Sequence, residues 1–150
     1  MRTILVIPEL KFNKNMIASI RTAEAFGVTE LCFIGNPNLS SWKIQHITKG
    51  GLKHIPKKKF THIEECINYL IGERINIVCI ENIENAHTLG DYKFPANVAL
   101  IMGHESLGVD KELLKYDVVR IPQYGLMRCL NTSVAMSIVL WERFKQRLLI

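Results

Sequence analysis

Residues 75–80, "INIVCI", and 97–102, "NVALIM", are apolar at nearly every consecutive position. A strand with one wet face alternates apolar and polar residues. One that is apolar on both faces must be covered on both, and that is the habit of parallel sheets flanked by helices. Residues 3–7, 31–35 ("LCFIG") and 117–121 ("DVVRI") read as further strands. Helical patterns separate them. Asn13 or Asn15 is expected to cap a helix through Phe26, with Ile17 and Ile20 facing inward and Gly27 as its stop. Ser41 opens a short helix to about Thr48, and "LKHIP" (52–56) reads as extended. Thr61 and Glu64 form a capping box ahead of a stripe of Ile63, Cys66, Ile67, Leu70 and Ile71. "KELLKY" reads as a short helix. A long helix starts at about Asn131, with Val134, Ile138, Trp141, Phe144 and Leu148 as its expected buried face. The predicted fold class is therefore α/β: a parallel sheet covered by helices on both faces, in a single domain spanning 1–150.

At 150 residues the chain can bury a full core, and 48% apolar with 22% charged residues is ordinary globular composition. No apolar run approaches the roughly 18 residues of a membrane span. No small-residue cleavage site follows "MRTILVIPEL", so no leader peptide is expected. Cys32, Cys66, Cys79 and Cys129 are scattered without a C-x-x-C pair, which argues against a zinc site or disulfide framework and fits a reducing compartment. Cytosol, nucleus and organelle matrix all meet that condition, and an intracellular, cytoplasmic protein is the expectation. His46, His54, His62, His87 and His104 show no metal-ligand spacing, and no metal is expected. The net charge of +5 is unevenly placed. From 31 to 63 there is no acidic residue, while Lys43, Lys49, Lys53, Lys57, Lys58 and Lys59 all fall there. Arg143, Lys145 and Arg147 make a second basic group. Such a surface is either a solvated lysine face or a site for a polyanion such as RNA.

Ligands of parallel α/β sheets sit beyond the carboxyl ends of the strands. Here those ends lead into 8–15, 35–40, 80–84, 103–108 and 121–130, where the unusual residues gather. No G-x-G-x-x-G follows the first strand, and no P-loop or G-x-S-x-G elbow occurs. Dinucleotide enzymes, P-loop NTPases and elbow hydrolases are disfavoured.

Three segments remain: "NMIASIRTAEAFGV" (15–28), "LIMGHESLGV" (100–109) and "IPQYGLMRCLNTSVAMSIVLWE" (121–142). In this order they resemble the three motifs of the SpoU/TrmH branch of the SPOUT methyltransferases, over nearly the whole chain. The third is most similar to that of the tRNA guanosine 2′-O-ribose methyltransferases. The resemblance implies a deep trefoil knot at the C-terminus, S-adenosylmethionine as cofactor, a homodimer, and methylation of an RNA ribose, most often in tRNA. The same fold acting on ribosomal RNA, or serving as a silent RNA-binding domain, is the alternative. By position the resemblance assigns Ile80, Gly103, Ile121 and Leu130 to the cofactor, with Gly125 and Cys129 in the same turn. It places Arg21, Asn15, Glu105 and Asn131 among the catalytic residues; at the RNA, Arg21 is joined by Lys53, Lys57, Lys58 and Lys59 of the basic stretch, which the charge distribution points to.

A guanidinium is not deprotonated in proteins. Arg21 is therefore expected to act as a fixed cation, holding a phosphate and stabilising the oxyanion that develops on the ribose. The proton leaves through phosphate, water or Glu105. The chain departs from the family pattern at Cys129, where serine is usual, and at His104, where a carboxamide is usual. It also starts at the first strand, where relatives commonly carry RNA-binding extensions. Either the lysine surface and the 143–147 helix supply the grip, or this is the catalytic domain of a longer protein.

Overall fold

A computed structural model describes residues 1–148 apart from Phe12, Ser41, Lys49, Gly50 and Arg128, and only the backbone at Trp42, Lys43 and Gln45. The helix start expected at Ser41 and Lys49 of the basic stretch lie outside the described residues. In chain order come β1 (Thr3–Ile7), α1 (Asn13–Ala25), β2 (Glu30–Ile34), α2 (Trp42–Ile47), α3 (Gly51–His54), β3 (Lys57–Phe60) and α4 (Ile63–Gly72). There follow β4 (Asn76–Ile80), β5 (His87–Thr88), β6 (Val98–Met102), a 3-10 turn (Lys111–Lys115), β7 (Asp117–Arg120) and α5 (Thr132–Leu148). The strands form one sheet in the order β3-β2-β1-β6-β4-β7-β5, and each neighbouring pair is parallel.

Alternation along the strands splits the core in two. Leu5, Ile7, Leu31, Phe33, Val78, Leu100 and Val119 face α1 and α5, where they meet Ile17, Ile20, Met136, Val139 and Leu140. Ile4, Val6, Cys32, Cys79, Ala99, Ile101 and Val118 face the other way, onto Cys66, Ile67 and Leu70 of α4. This double burial is the physical reason the strands lack a polar face. Each fully buried Leu or Ile contributes about 1.5–3 kcal/mol.

Five expectations need correction. The "LKHIP" stretch holds the short helix α3, and the strand comes afterwards as β3, whose three exposed lysines carry no apolar signal. β3 is an edge strand, where lysine blocks pairing with foreign strands. Ahead of α4 the capping residue is His62 without a side-chain bond, and the Thr61 N–H donates to Glu65 at 3.1 Å instead of pairing with Glu64. On the same helix Ile71 is exposed.

The largest correction concerns α5. Its buried residues are Ser133, Met136, Val139, Leu140 and Arg143, whereas Val134, Ile138, Trp141 and Leu148 are exposed. This helix carries two apolar stripes, and periodicity alone does not say which turns inward. Arg143, read as part of a basic surface, is only 2% exposed: its Nη2 donates to the Ala96 carbonyl at 2.8 Å. Lys145 pairs with Glu142 at 2.6 Å.

Candidate active site

Asn15, expected as a helix cap, lies inside the first turn of α1 and points its carboxamide outward to a partner. Its Nδ2 donates to Oε1 of Glu105, in the loop after β6, and the Lys11 N–H donates to Oε2 of the same carboxylate at 3.0 Å. On the other side, Asn131 Nδ2 donates to Asn15 Oδ1 at 3.2 Å. The Asn131 Oδ1 in turn accepts the Ser133 N–H at 2.9 Å and the Ser133 hydroxyl at 2.7 Å, which caps α5. One hydrogen-bonded chain, Glu105–Asn15–Asn131, thus ties together segments 90 and 116 residues apart in sequence.

The Glu105 loop is a tight one. His104 and Gly108 exchange two backbone hydrogen bonds, at 2.9 and 3.0 Å, and the Ser106 N–H donates to His104 Nδ1 at 3.1 Å. Beneath it sits the carboxylate of Glu81, at the end of β4. Its Oε2 accepts the Val109 N–H at 2.7 Å and its Oε1 the Asn82 N–H at 2.9 Å. Two glycines make room for this carboxylate. A Cβ on Gly103 would stand 3.0 Å from Oε2 and 3.1 Å from the Gly108 carbonyl carbon. One on Gly108, whose φ is +71°, would stand 2.5 Å from Oε2. Glycine is needed at both positions for close approach, and at Gly108 for the left-handed backbone as well.

These turns enclose a cavity of about 260 Å³. Ile80, Met102, Ile121, Leu130 and Ala135 supply apolar wall, Gly103 backbone, and Glu81, Asn82, His104, Glu105, Ser106 and Gln123 the polar groups. The exposed Cys129 lines it too. Among the described residues that line it there are two carboxylates and no Lys or Arg. A cavity with apolar walls and two carboxylates in its lining suits a ligand that carries both apolar surface and positive charge.

Of the residues singled out from sequence, Ile80, Gly103, Ile121, Leu130, Cys129 and Glu105 line this cavity, and Asn15 and Asn131 reach it through the hydrogen-bonded chain. Gly125 does not line it: nothing lies within 4 Å of where its Cβ would be, and close approach does not explain the glycine there. Arg21 is exposed on α1 and outside the lining. Six residues on from Asn15, it stands about 9 Å further along the helix axis. Lys57 and Lys59 point to one face of β3, where they line an open groove with Asn36, Pro37, Asn38, Leu39 and Ser40. Lys57 Nζ donates to the Leu52 carbonyl at 3.0 Å and Lys59 Nζ to that of Pro37 at 3.1 Å. Lys58 turns to the opposite face, 4.9 Å over the ring of Tyr69, and Lys53 is exposed on α3. Glu81, Gln123 and Gly108 were not found from sequence. Gln123 had a signal, two residues past Ile121 in the same turn. Glu81 had none beyond its place at a strand end. Among the described residues no group of three His, Cys, Asp or Glu is placed to hold a metal ion.

The model of the SpoU rRNA Methylase family matches residues 2–141. The chain belongs to this family. It is 28% identical over 136 residues to the tRNA (guanosine(18)-2′-O)-methyltransferase of Escherichia coli K12, an alignment covering 89% of this chain and 58% of that enzyme. The chain thus spans little more than half the length of that relative. Among solved structures, the AdoMet-bound rRNA methyltransferase of Sinorhizobium meliloti superposes with a TM-score of 0.84 at 25% identity, over 99% of this chain and 57% of that one. A structure described as giving insights into 2-OH methylation of C/U34 on tRNA shares the fold, with a TM-score of 0.88 at 24% identity over 99% of this chain and 98% of its own. Both solved structures share the fold described above.

Proposed function

We propose that this chain is an S-adenosylmethionine-dependent RNA ribose 2′-O-methyltransferase that acts on tRNA guanosine as a homodimer. The observation that carries this reading is the Glu105–Asn15–Asn131 chain standing beside a cavity with apolar walls and two carboxylates in its lining. The family match and the named relatives supply the reaction class.

The cavity residues fit the cofactor. Ile80, Ile121 and Leu130 offer apolar surface to a purine ring, Gly103 leaves its backbone open to close approach, and Glu81 and Glu105 suit positive charge. When bound, S-adenosylmethionine supplies an electrophilic methyl group on a sulfonium. The chain's own residues must then hold the acceptor ribose in line and keep water out. Positioning of this kind accounts for much of the rate in such a transfer. Glu105, fixed by the Asn15 amide and the Lys11 N–H, is placed to orient the acceptor hydroxyl or to take up its proton. Arg21, permanently cationic, binds an RNA phosphate and stabilises the oxygen as it becomes negative.

For the grip on RNA, the register of β3 favours Lys57 and Lys59, with Lys53 nearby, over Lys58 on the opposite face. Each ammonium uses one of its three donors on a carbonyl and keeps two for phosphate oxygens. For the dimer, the support is the outer stripe of α5. Val134, Ile138, Trp141 and Leu148 are too apolar to face water together, and Trp141 already meets Phe26 and Phe144 with ring centroids 5.9 and 6.0 Å apart. The threaded C-terminal tail goes with the return of Leu130 to the Gly103 turn and the packing of α5 on α1. The helices described include none long and apolar enough to cross a membrane. The tRNA-modifying relatives support a cytoplasmic enzyme in this reading.

Incubation of total RNA with methyl-labelled cofactor, followed by nuclease mapping, tests all of this together. The expected product is a 2′-O-methylguanosine in tRNA. Label in ribosomal RNA redirects the substrate while keeping the chemistry. No label in any RNA, together with no cofactor binding by calorimetry at millimolar concentration, ends the enzyme reading.

A further inference from the structure

Gln123 holds a polar group that the fold leaves unused. Its side-chain Oε1 is buried and has no hydrogen-bond partner among the described residues, and the residue lines the cavity. Buried carboxamides are ordinarily satisfied, because an orphaned acceptor forfeits its hydration without replacement. The half-buried Gln123 shares the lining of this cavity with Ile80, Ile121 and Leu130, and its amide oxygen is closed off from solvent. That placement is costly unless something entering the cavity brings a donor.

We propose that Gln123 is a cofactor-specificity residue whose side-chain Oε1 accepts a hydrogen bond from the exocyclic amine of the cofactor's adenine. The inference rests on the cofactor reading given above. Three observations choose the adenine over the rest of the molecule. A carboxamide offers an acceptor and a donor side by side, matching the amine and adjacent ring nitrogen of adenine. The cationic methionine end is better matched by the carboxylates of Glu81 and Glu105. The sheet order β6-β4-β7 puts the turn carrying Gln123 two strands from the loop carrying Glu105. That is about 10 Å at ordinary strand spacing. With the reacting methyl group at the Glu105 end, the base lies at the Gln123 end, between apolar walls. In this arrangement the backbone of the turns holds the cofactor, and Gln123 checks which base it carries.

The test is calorimetric and needs no turnover. S-adenosylhomocysteine and its 6-deamino analogue, in which hydrogen replaces the amine, are titrated into the wild-type chain and into Gln123→Met. Wild type is expected to bind the analogue about tenfold or more weakly, the range for one good amide–base pairing. Gln123→Met is expected to bind S-adenosylhomocysteine about tenfold more weakly and to treat the two ligands alike, so that the penalties do not multiply. An unchanged melting temperature without ligand establishes that the variant folds. Equal binding of both ligands by wild type overturns the proposal without any variant, and so does full discrimination retained by Gln123→Met. In both cases the cofactor reading stands. If wild type binds neither ligand, both readings fall.

Discussion

The two ends of the parallel sheet are finished in opposite ways. At the amino ends, Arg2 donates to Glu73 at 2.8 Å and to Glu30 at 3.1 Å, and the Tyr69 hydroxyl donates to Glu30 at 2.7 Å. There one guanidinium sits between two carboxylates, and each of these groups has a partner within the protein. At the carboxyl ends the polar groups form an amide–carboxylate chain, beside a cavity lined by two carboxylates and an amide oxygen with no hydrogen-bond partner among the described residues. One end spends its polar groups on stability and the other reserves them for a visitor. Substitutions at the two ends should therefore separate stability from activity.

Glu105→Ala is the sharpest way to break the contrast. It removes the acceptor shared by Asn15 and Lys11, and with it the link between the α1 turn and the β6 loop. Methyl transfer is expected to fall by about a hundredfold or more, the usual cost of misplacing a reacting group by about an ångström. The melting temperature should move by less than about 3 °C, since both partners can turn to solvent. Activity within a few-fold of wild type would show that the chain is structural only.

Glu30→Ala probes the other end and should show the reverse pattern. It takes from Arg2 one of its two carboxylates, leaving Glu73, and leaves the Tyr69 hydroxyl without its acceptor. The expected loss is about 2 kcal/mol, the range for hydrogen bonds to charged groups. In a domain of this size that is roughly 4–8 °C in Tm. Transfer rate per folded molecule should hold. A loss of activity with no loss of stability would mean that the two ends are coupled.

Gly108→Ala falls between these two. The added methyl meets Glu81 Oε2 and forces a left-handed backbone on a residue with a Cβ, at about 1–2 kcal/mol. Cofactor affinity should weaken by a few-fold as the Glu105 loop shifts. A variant of unchanged stability would mean that Glu81 swings away freely.

What the sequence made legible follows from what each signal measures. Apolar runs report burial, so β1, β4 and β6 were visible to within a residue or so, because these strands are covered on both faces. The same signal was blind to β3, an exposed edge made of lysine, and to the two-residue β5. On α5 it reported apolar residues correctly but pointed them the wrong way, because that helix has one stripe for its own sheet and another that stays exposed. Arg143 was misread for a related reason: a charge in sequence says nothing of whether its methylenes and guanidinium are enclosed. In the site, motif likeness found the Asn15, Glu105 and Asn131 segments. Their convergence through one hydrogen-bonded chain is long-range geometry that local pattern does not encode. Gln123 escaped because its importance lies in a missing partner, which only packing exposes.

The gentlest probe is pH acting on Tyr69 at the amino end. Burial, and then the bond to Glu30, pushes its phenol up to about 12. In the unfolded chain a tyrosine titrates near 10. Between these values the unfolded state has released its proton while the native state still holds it, so stability falls as pH rises through that window and is fully present below it. Ionising Tyr69 removes the donor to Glu30 Oε1 and sets two anions together. The ring is partly open to solvent, which screens the effect, so the change should be small beside that of Glu30→Ala. Tyr69→Phe lacks the titrating group. Its unfolding free energy, from urea melts at a series of pH values, should decline less steeply between about pH 10 and 12 than that of wild type. Identical slopes would mean that the hydroxyl ionises as freely in the folded protein as outside it. The amino end would then be looser than its hydrogen bonds suggest.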